Sequence, residues 1–378
     1  MTDIDLLRST VSGLTASYGP AYFARKTAAG ESAQELWDDL AQSGFVGVNV
    51  PVEFGGGGMG LTELAIVAEE TAAAGCPLMM LVVSPGLCVP LITTLGTEAQ
   101  KQRWLPSLAE GAKMAFAVTE ADAGSNTHNV KLRAERRGST WVLSGSKTYI
   151  SGVDEAANLM VVARTGTHER SGRARLSMFI VPSGSPGIEL QPIPTAVRAA
   201  ERQFSVFLDE VEVADDHLLG DEGDGLRQLF GGLNPERVMS GAVCIGLSRF
   251  CLTKAVDYAR DRHVWDVPIG AHQAVAHPLA EAKIECDVAK IALYEAARAH
   301  DTGRDVGELA NMAKYVCAKS ARSAFDSAVQ THGGNGLAIE YGLADLWGLV
   351  RLYEIAPVSR EMILNHIAQH TLGLPKSY

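Results

Sequence analysis

Met114-Ala-Phe-Ala-Val-Thr119 marks the point where the character of the chain changes. From there, short β-branched and aromatic runs dominate, at 114 to 119, 140 to 150, 157 to 164, 176 to 182 and 203 to 213, separated by turn residues. The last run alternates at Phe204, Val206 and Leu208, then resumes one step out of phase at Val211 and Val213. That is the pattern of a strand with a bulge and one buried face. Upstream, Ser32 and Glu35 have capping-box spacing ahead of Leu36, Trp37 and Leu40, and Gly44 supplies a stop. A second helix is expected from near Thr62 to near Gly75. Beyond about residue 222 helical spacing returns: Leu279, Ala282, Cys286, Ala289 and Leu293 recur at three and four, and Leu309, Met312 and Val316 begin another stripe.

Strands and helices do not alternate, so the pattern carries no parallel-sheet signature. It predicts an α+β protein, mostly α: an N-terminal helical domain over 1–112, a middle antiparallel β-domain over 113–221 and a C-terminal helical domain of four-helix-bundle type over 222–378. A length of 378 residues agrees with two or three domains. With 47% hydrophobic and 20% charged residues, the chain falls among folded globular proteins. Its 33 basic against 44 acidic residues leave a net charge of −11, which repels nucleic acid and anionic membrane surfaces. Any anionic ligand therefore needs a local pocket.

Cys76, Cys88, Cys244, Cys251, Cys286 and Cys317 show no CxxC spacing and read as buried free thiols of a reducing compartment. The ten histidines form no spaced ligand set with cysteines or carboxylates, so no metal site is expected. MTDIDLLRST lacks the form of a signal peptide, and no apolar run reads as long enough to span a bilayer, which makes the cytoplasm the expected address. Phe54-Gly-Gly-Gly-Gly-Met-Gly60 formally contains GxGxxG, but Pro51 and Glu53 interrupt the strand that a dinucleotide loop requires. It reads as a plain loop.

Four segments, taken together, carry a family resemblance. Phe116-Ala-Val-Thr-Glu-Ala-Asp-Ala-Gly-Ser125 is similar to the aromatic-x-x-Thr-Glu-Pro-Gly-Ala-Gly-Ser segment of the acyl-CoA dehydrogenase family. Gly145-Ser-Lys-Thr-Tyr-Ile-Ser151 resembles its Gly-x-Lys-x-Trp-Ile-Thr. Arg262 to Gln273 resembles Arg-x-x-Phe-Gly-x-x-Ile-x-x-x-Gln, and Gln330 to Gly336 resembles Gln-x-x-Gly-Gly-x-Gly. The order matches the family, and the likeness runs over nearly the whole chain.

The resemblance implies an FAD cofactor, a dimer or tetramer in which one subunit helps to bind its neighbour's FAD, dehydrogenation of an acyl-CoA at its α and β carbons, and an electron-transfer flavoprotein as acceptor. By matching position it puts Phe116, Val118, Thr119, Ser125, Tyr149 and Ser151 along the flavin. Arg262, Trp265 and Gln273 match residues that reach FAD across a subunit interface, where a guanidinium suits pyrophosphate. Gln330, Gly333 and Gly334 match the segment holding the adenine half, and Ser125, Asn234 and Arg237 fall among substrate contacts. Read without the family, these are strand-end hydroxyls, a core tyrosine, a solvated arginine and a helix C-cap.

α,β-Dehydrogenation of a thioester needs a carboxylate beside the α carbon. Most of the family carries it in Ile-Tyr-Glu-Gly-Thr-x-Glu-Ile, and the corresponding stretch here is Ile355-Ala-Pro-Val-Ser-Arg-Glu-Met362, with Pro357 where that glutamate would stand. A branch of the family draws its base instead from Leu-Asp-x-Glu-Arg, which Leu233-Asn-Pro-Glu-Arg237 fits without a gap. Glu236 is therefore the first candidate, and Glu354, which a three-residue shift would align, is the reserve. The plainer reading of Glu236 is an acid in the first turn of a helix opened by Pro235, favourable to the macrodipole. Asn234 replaces the usual aspartate, and Gly348-Leu349 replaces an Arg-Asp pair. Two alternatives stay open: a related flavin enzyme with altered chemistry (a reductase or an oxygen user), and a non-catalytic or half-site subunit beside a related chain that supplies the base.

Overall fold

The computed structural model describes residues 3–169 and 172–376. The chain opens with α1 (Asp3–Ala16), α2 (Gly19–Ala29), α3 (Gln34–Gln42), α4 (Leu61–Ala73), α5 (Met80–Val83), α6 (Val89–Leu95) and α7 (Glu98–Ala109). A π-turn over Ser84–Cys88 joins α5 to α6. The middle consists of β1 (Met114–Ala117), β2 (Arg133–Arg137), β3 (Thr140–Ser151), β4 (Asn158–Thr167), β5 (Ala174–Pro182), β6 (Ile188–Ile193), β7 (Gln203–Ala214) and β8 (Leu218–Leu219). After α8 (Gly225–Asp261) come the short hairpin β9 (His263–Val264) and β10 (Val267–Pro268), then α9 (Gln273–Asp301), α10 (Gly307–His332), α11 (Trp347–Ile355) and α12 (Arg360–His366).

The helical start of the chain follows its apolar spacing, with a different cap from the one expected. In α3, Leu36, Trp37 and Leu40 are buried, and Gly44 ends the element in the left-handed region at φ 77°. Ser32 does not cap it: Ala33 occupies the N-cap position, and the Glu35 carboxylate is taken by Tyr22 and Lys26 of α2, both at 2.7 Å. Two bonds to charged or phenolic donors outweigh one reciprocal backbone bond. The start of α4 is capped from a distant element, because the Asp301 carboxylate of α9 accepts from the Leu61 and Thr62 amides at 2.6 and 3.0 Å. A Cβ on Gly60 would meet that carboxylate at 2.5 Å. The rest of the glycine-rich stretch folds back on the preceding loop, with the Gly57 and Gly58 amides bonded to the Gly47 and Val50 carbonyls. Its donors serve the loop itself, as the plain-loop reading requires.

The main sheet runs β6-β7-β3-β2-β4-β5-β8, with β1 joined to β4. Its pairings are antiparallel except β1 with β4 and a single β2–β4 contact, which are parallel, so the sheet is mixed where the sequence predicted an antiparallel domain. The reason is that β1 is the incoming strand from the helices and lies alongside β4, not in the hairpin succession. In β7, Leu208 pairs with Gly145 and Val211 with Leu143, so Asp209 and Glu210 stand opposite Ser144 alone. Glu210 takes φ 49°, which is the bulge expected from the broken alternation. β2 and β6 were not expected. β2 is Arg-Ala-Glu-Arg-Arg, with only Ala134 buried, and β6 is an edge strand holding Pro192.

β4 and β5 are buried on both faces and read as continuous apolar runs. Met160, Val162, Met178 and Ile180 pack with Leu91, Trp104 and Leu105 beneath α6 and α7, whereas Leu159, Val161, Phe179 and Val181 pack with Trp141, Leu143 and Val206 on the other side. A third core joins the two helical ends of the chain: Leu36, Leu64 and Val67 share it with Val243, Leu247, Leu293, Ala313 and Phe325. Here α8, α9 and α10 pack with the shorter α11 as a bundle. The buried face of α10 is Ala310, Ala313, Cys317, Ala321 and Ala324, while Met312 is exposed, one position off the expected stripe. Small residues let α10 approach α8 closely, so alanine and cysteine take the interface and the larger side chains its margins.

α8 is long and apolar enough to cross a bilayer by length and composition, against expectation, but 83% of that window is buried inside the protein. It is the central helix of the bundle. Nor does it begin at Pro235. It starts at Gly225 and runs through the proline, with Gly231 and Gly232 as the small residues in the turn ahead of the ring. Glu236 therefore lies well inside the helix, and the macrodipole account of it lapses. All six cysteines are free and buried.

Candidate active site

Five of the residues matched to the flavin converge where β1 runs out beside β3, and Ser125 lies exposed in the loop that follows. Phe116 and Val118 are half-buried against the core beneath α6 and α7. The Thr148 amide donates to the Thr119 carbonyl at 2.9 Å, which sets the β1 extension against β3. A buried ion pair locks the same junction: the Lys147 ammonium donates to the Val118 carbonyl at 3.0 Å and to Glu120 at 2.8 Å. The Glu120 carboxylate also accepts from the Lys131 and Leu132 amides at 2.7 and 3.0 Å. Burial brings the Lys147 ammonium down to about 8, and Glu120 resists that fall.

Directly after Lys147 the β3–β7 register breaks, and Tyr149 takes φ 56° with its ring 62% exposed. A bulky residue held in the left-handed region at an exposed strand end is strained backbone presenting an aromatic face. Ser151 exchanges hydrogen bonds with the Gln203 side chain at 2.9 and 3.2 Å.

The remaining cofactor candidates form a second group. Arg262, Trp265 and Gln273 are exposed around the β9–β10 hairpin, with Trp265 at φ 50° and 83% exposed. Gln330, Gly333 and Gly334 are exposed at the end of α10, and a Cβ on either glycine would meet open space. The two segments are joined through Tyr258, whose ring stacks on His332 with centroids 4.2 Å apart and whose hydroxyl accepts from Asn335 at 3.0 Å. Among the described residues the Arg262 guanidinium has no ion-pair partner, and no hydrogen bond, ion pair or ring contact links this group to the β1–β3 edge.

Glu236 and Arg237 lie in α8 where it packs against α6 and the π-turn. A Cβ on Gly232 would meet Leu91 and the Leu87 carbonyl within 3.0 Å, so the glycine permits this close approach. The Glu236 carboxylate is 7% exposed and, among the described residues, has no hydrogen-bond or ion-pair partner. Burial pushes it up to about 8, and the charges of Arg237 and Lys314 pull the other way. Arg237 is itself buried; its Nη1 donates to Asn234 Oδ1 at 2.6 Å, and its Nε is buried without a partner.

Glu354, the reserve candidate, is placed differently. On α11 it is 6% exposed and paired with Arg322 at 3.0 Å and with Arg351. Two guanidiniums tie it into a structural ion pair. Sequence reading passed over Lys314, a buried lysine on α10 whose charge favours the Glu236 carboxylate. A lysine on the Ala310, Ala313, Cys317 stripe was the signal that could have found it.

Family models match the chain over most of its length: the acyl-CoA dehydrogenase N-terminal domain over residues 2–112, the middle domain over 115–211 and the C-terminal domain over 223–372. The acyl-CoA dehydrogenase FadE12 of Mycobacterium tuberculosis is 48% identical over 375 residues, covering 98% of this chain and 96% of that protein. The glutaryl-CoA dehydrogenase of Desulfococcus multivorans is 33% identical, covering 91% and 90%. Among solved structures, butyryl-CoA dehydrogenase from Megasphaera elsdenii superposes with a TM-score of 0.91 at 26% identity, covering 98% of this chain and 99% of that one. With its helical, mixed-sheet and helical regions in that family's order, the chain belongs to the acyl-CoA dehydrogenase family, the FAD-dependent oxidoreductases acting on acyl-CoA.

Proposed function

We propose that this protein removes hydrogen from the α and β carbons of an acyl-CoA thioester, with Glu236 as the base that takes the α proton. The observation that carries this reading is the Glu236 carboxylate itself: buried, unpaired among the described residues and pushed up to about 8. A group in that state gains from accepting a proton, which is what a base must do. Glu354 lacks these properties, being neutralised by two arginines.

The residues fit the cofactor. Tyr149 offers an exposed ring at a strained strand end, Gly333 and Gly334 leave open space, and Arg262 presents a guanidinium that no carboxylate among the described residues engages. Phe116, Val118, Thr119, Ser125, Tyr149 and Ser151 would hold the flavin, and FAD, when bound, supplies the acceptor for the β hydride at its N5. Arg262, Trp265, Gln273, Gln330, Gly333 and Gly334 form a separate group, which we read as reaching the FAD of a neighbouring subunit in a dimer or tetramer. Asn234 orients Arg237 beside the base. The α proton passes to Glu236, the β hydrogen leaves with its electron pair, and the α–β bond becomes double. An electron-transfer flavoprotein would be the acceptor of those electrons.

The test is an anaerobic absorbance titration of flavin-loaded protein with butyryl-, octanoyl-, palmitoyl-, isobutyryl- and glutaryl-CoA, comparing wild type with Glu236→Gln. Bleaching by at least one thioester in wild type, slowed about 1,000-fold in the variant, supports the reading. Equal bleaching in both removes Glu236 as base. A flavin that no thioester bleaches favours a half-site subunit whose base comes from another chain.

A further inference from the structure

Thr119 stands between two residues that the fold holds tightly, while its own donors are free. The Val118 carbonyl accepts from the Lys147 ammonium of β3 at 3.0 Å, and the Thr119 carbonyl accepts from the Thr148 amide at 2.9 Å. On the other side, Glu120 exchanges backbone bonds with Ala123 at 3.2 and 3.1 Å. Its carboxylate takes the Lys147 ammonium at 2.8 Å and the Lys131 and Leu132 amides at 2.7 and 3.0 Å. Thr119 is half-buried, and among the described residues neither its amide nor its hydroxyl has a hydrogen-bond partner.

Lys147 and Glu120 are both buried, and desolvating such a pair is costly. Apolar side chains of similar volume often serve a scaffold as well or better, so stability alone is a weak reason for the pair. What the ammonium supplies is direction: it reaches a carbonyl and a carboxylate at once and so fixes one peptide unit against another strand. Its value of about 8 leaves most of it protonated at neutral pH. A half-buried backbone amide without a partner in the chain calls for one from outside. Thr119 lies at the end of β1, where Phe116, Tyr149 and Ser151 also converge and where the flavin is read to lie.

We propose that Lys147, braced by Glu120, is a positioning residue for the flavin: it fixes the Val118–Thr119 peptide so that the Thr119 amide and hydroxyl are held as donors to the cofactor. The proposal rests on the reading of the β1–β3 edge as the flavin site. It adds two residues that act through the backbone around Thr119 and not by touching the cofactor. Donors held in place before a ligand arrives need no reordering when it binds, and donors set loose lose that advantage. Removing one charge-assisted bond from such a brace weakens retention of the ligand about tenfold on general grounds.

The test needs no substrate. It is the rate at which flavin-loaded protein releases FAD on dilution at neutral pH, read from the fluorescence of the freed cofactor and measured well below the melting temperature of each variant. Lys147→Met should release FAD about tenfold faster than wild type. Glu120→Gln weakens the same brace from its other end, should release FAD about threefold faster, and serves if Lys147→Met does not fold. A double-mutant cycle separates positioning from general loosening. In a Thr119→Val background, which lacks the positioned hydroxyl, Lys147→Met should speed release by less than about threefold, whereas a merely structural role would add its full effect. Wild-type release in Lys147→Met and Glu120→Gln overturns the proposal, as does full additivity with Thr119→Val. Failure of the flavin site itself shows separately, as wild-type release in both Thr119→Val and Tyr149→Ala, and the proposal then falls with it.

Discussion

Glu69 of α4 and Glu236 of α8 are both buried carboxyls inside the helical part of the molecule, and their surroundings push them in opposite directions. Glu69 is fully buried, yet Arg249 reaches it at 2.5 Å, Lys290 at 2.6 Å, the Tyr294 hydroxyl at 2.5 Å and Arg8 at 3.1 Å. Burial alone would raise its pKa, but the cations led by Arg8 and Lys290 outweigh it and hold the carboxylate below its ordinary range. Among the described residues Glu236 has no such bonds, and burial carries it up to about 8. Burial sets the size of the penalty and partners set its sign. One glutamate ties α1, α4, α8 and α9 together through charge. The other is left ready to change its charge, which separates a scaffold residue from a candidate base.

Exchanging each carboxylate for its neutral isostere breaks or sharpens that contrast. Glu236→Gln should slow flavin reduction about 1,000-fold while leaving thermal stability equal or higher, since it removes a buried carboxyl whose ionisation is unfavourable and which has no partner among the described residues. Glu69→Gln should leave flavin reduction by the folded protein near wild type and lower stability by about 3 kcal/mol, because it leaves Arg8, Arg249 and Lys290 undercompensated. Rapid-mixing reduction and denaturant unfolding on the same preparations decide both. A stability loss in Glu236→Gln as large as that in Glu69→Gln would erase the distinction.

The same pair should show opposite pH dependence of stability. Between its ordinary value of 4.5 and about 8, Glu236 keeps its proton in the folded protein after the unfolded chain has lost it. Its contribution therefore falls as pH rises across that window, by up to about 1.4 kcal/mol per unit, and Glu236→Gln should remove that slope. Glu69 titrates below 4.5 when folded, so the stability it adds is present above that value and is lost as the pH falls further. The gap between wild type and Glu69→Gln should close only on the acid side. Melting temperatures from pH 2 to 9 would show it.

Those buried partners explain what could and could not be read from the chain. The switch from helices to strands at Met114 and the bulge in β7 were legible because each is a periodicity, and periodicity survives without contacts. β2 was not, since only Ala134 of Arg133–Arg137 faces the core and the solvent face looks like a loop. The cap on α3 failed because Glu35 is engaged by α2, and the start of α8 was missed because Pro235 usually opens a helix, whereas here small residues make room for it. At the site, the candidate flavin residues came from motif order. Lys147 and Glu120 lay inside those motifs, but their joint hold on Val118 needed the fold. Lys314 was hidden for the same reason that Glu236 and Glu69 look alike in sequence: which charges face a buried group depends on which helices pack together.

Glu354 is a third case, lying between the other two, and gives the smallest expected effect. It is 6% exposed, but its partners Arg322 and Arg351 are 42% and 40% exposed, so water screens the cations that hold it. Replacing it with glutamine should cost about 1 kcal/mol of stability, because the arginines rehydrate when the charge is lost. Flavin reduction should stay within about threefold of wild type, since among the described residues no hydrogen bond or ion pair joins Glu354 to Glu236. If reduction instead falls as far as in Glu236→Gln, then Tyr353-Glu354 takes the place of the family's Tyr-Glu, the three-residue shift is the correct register, and Pro357 no longer marks the missing base. Glu236 would then join Glu69 among the structural carboxyls, despite its raised pKa.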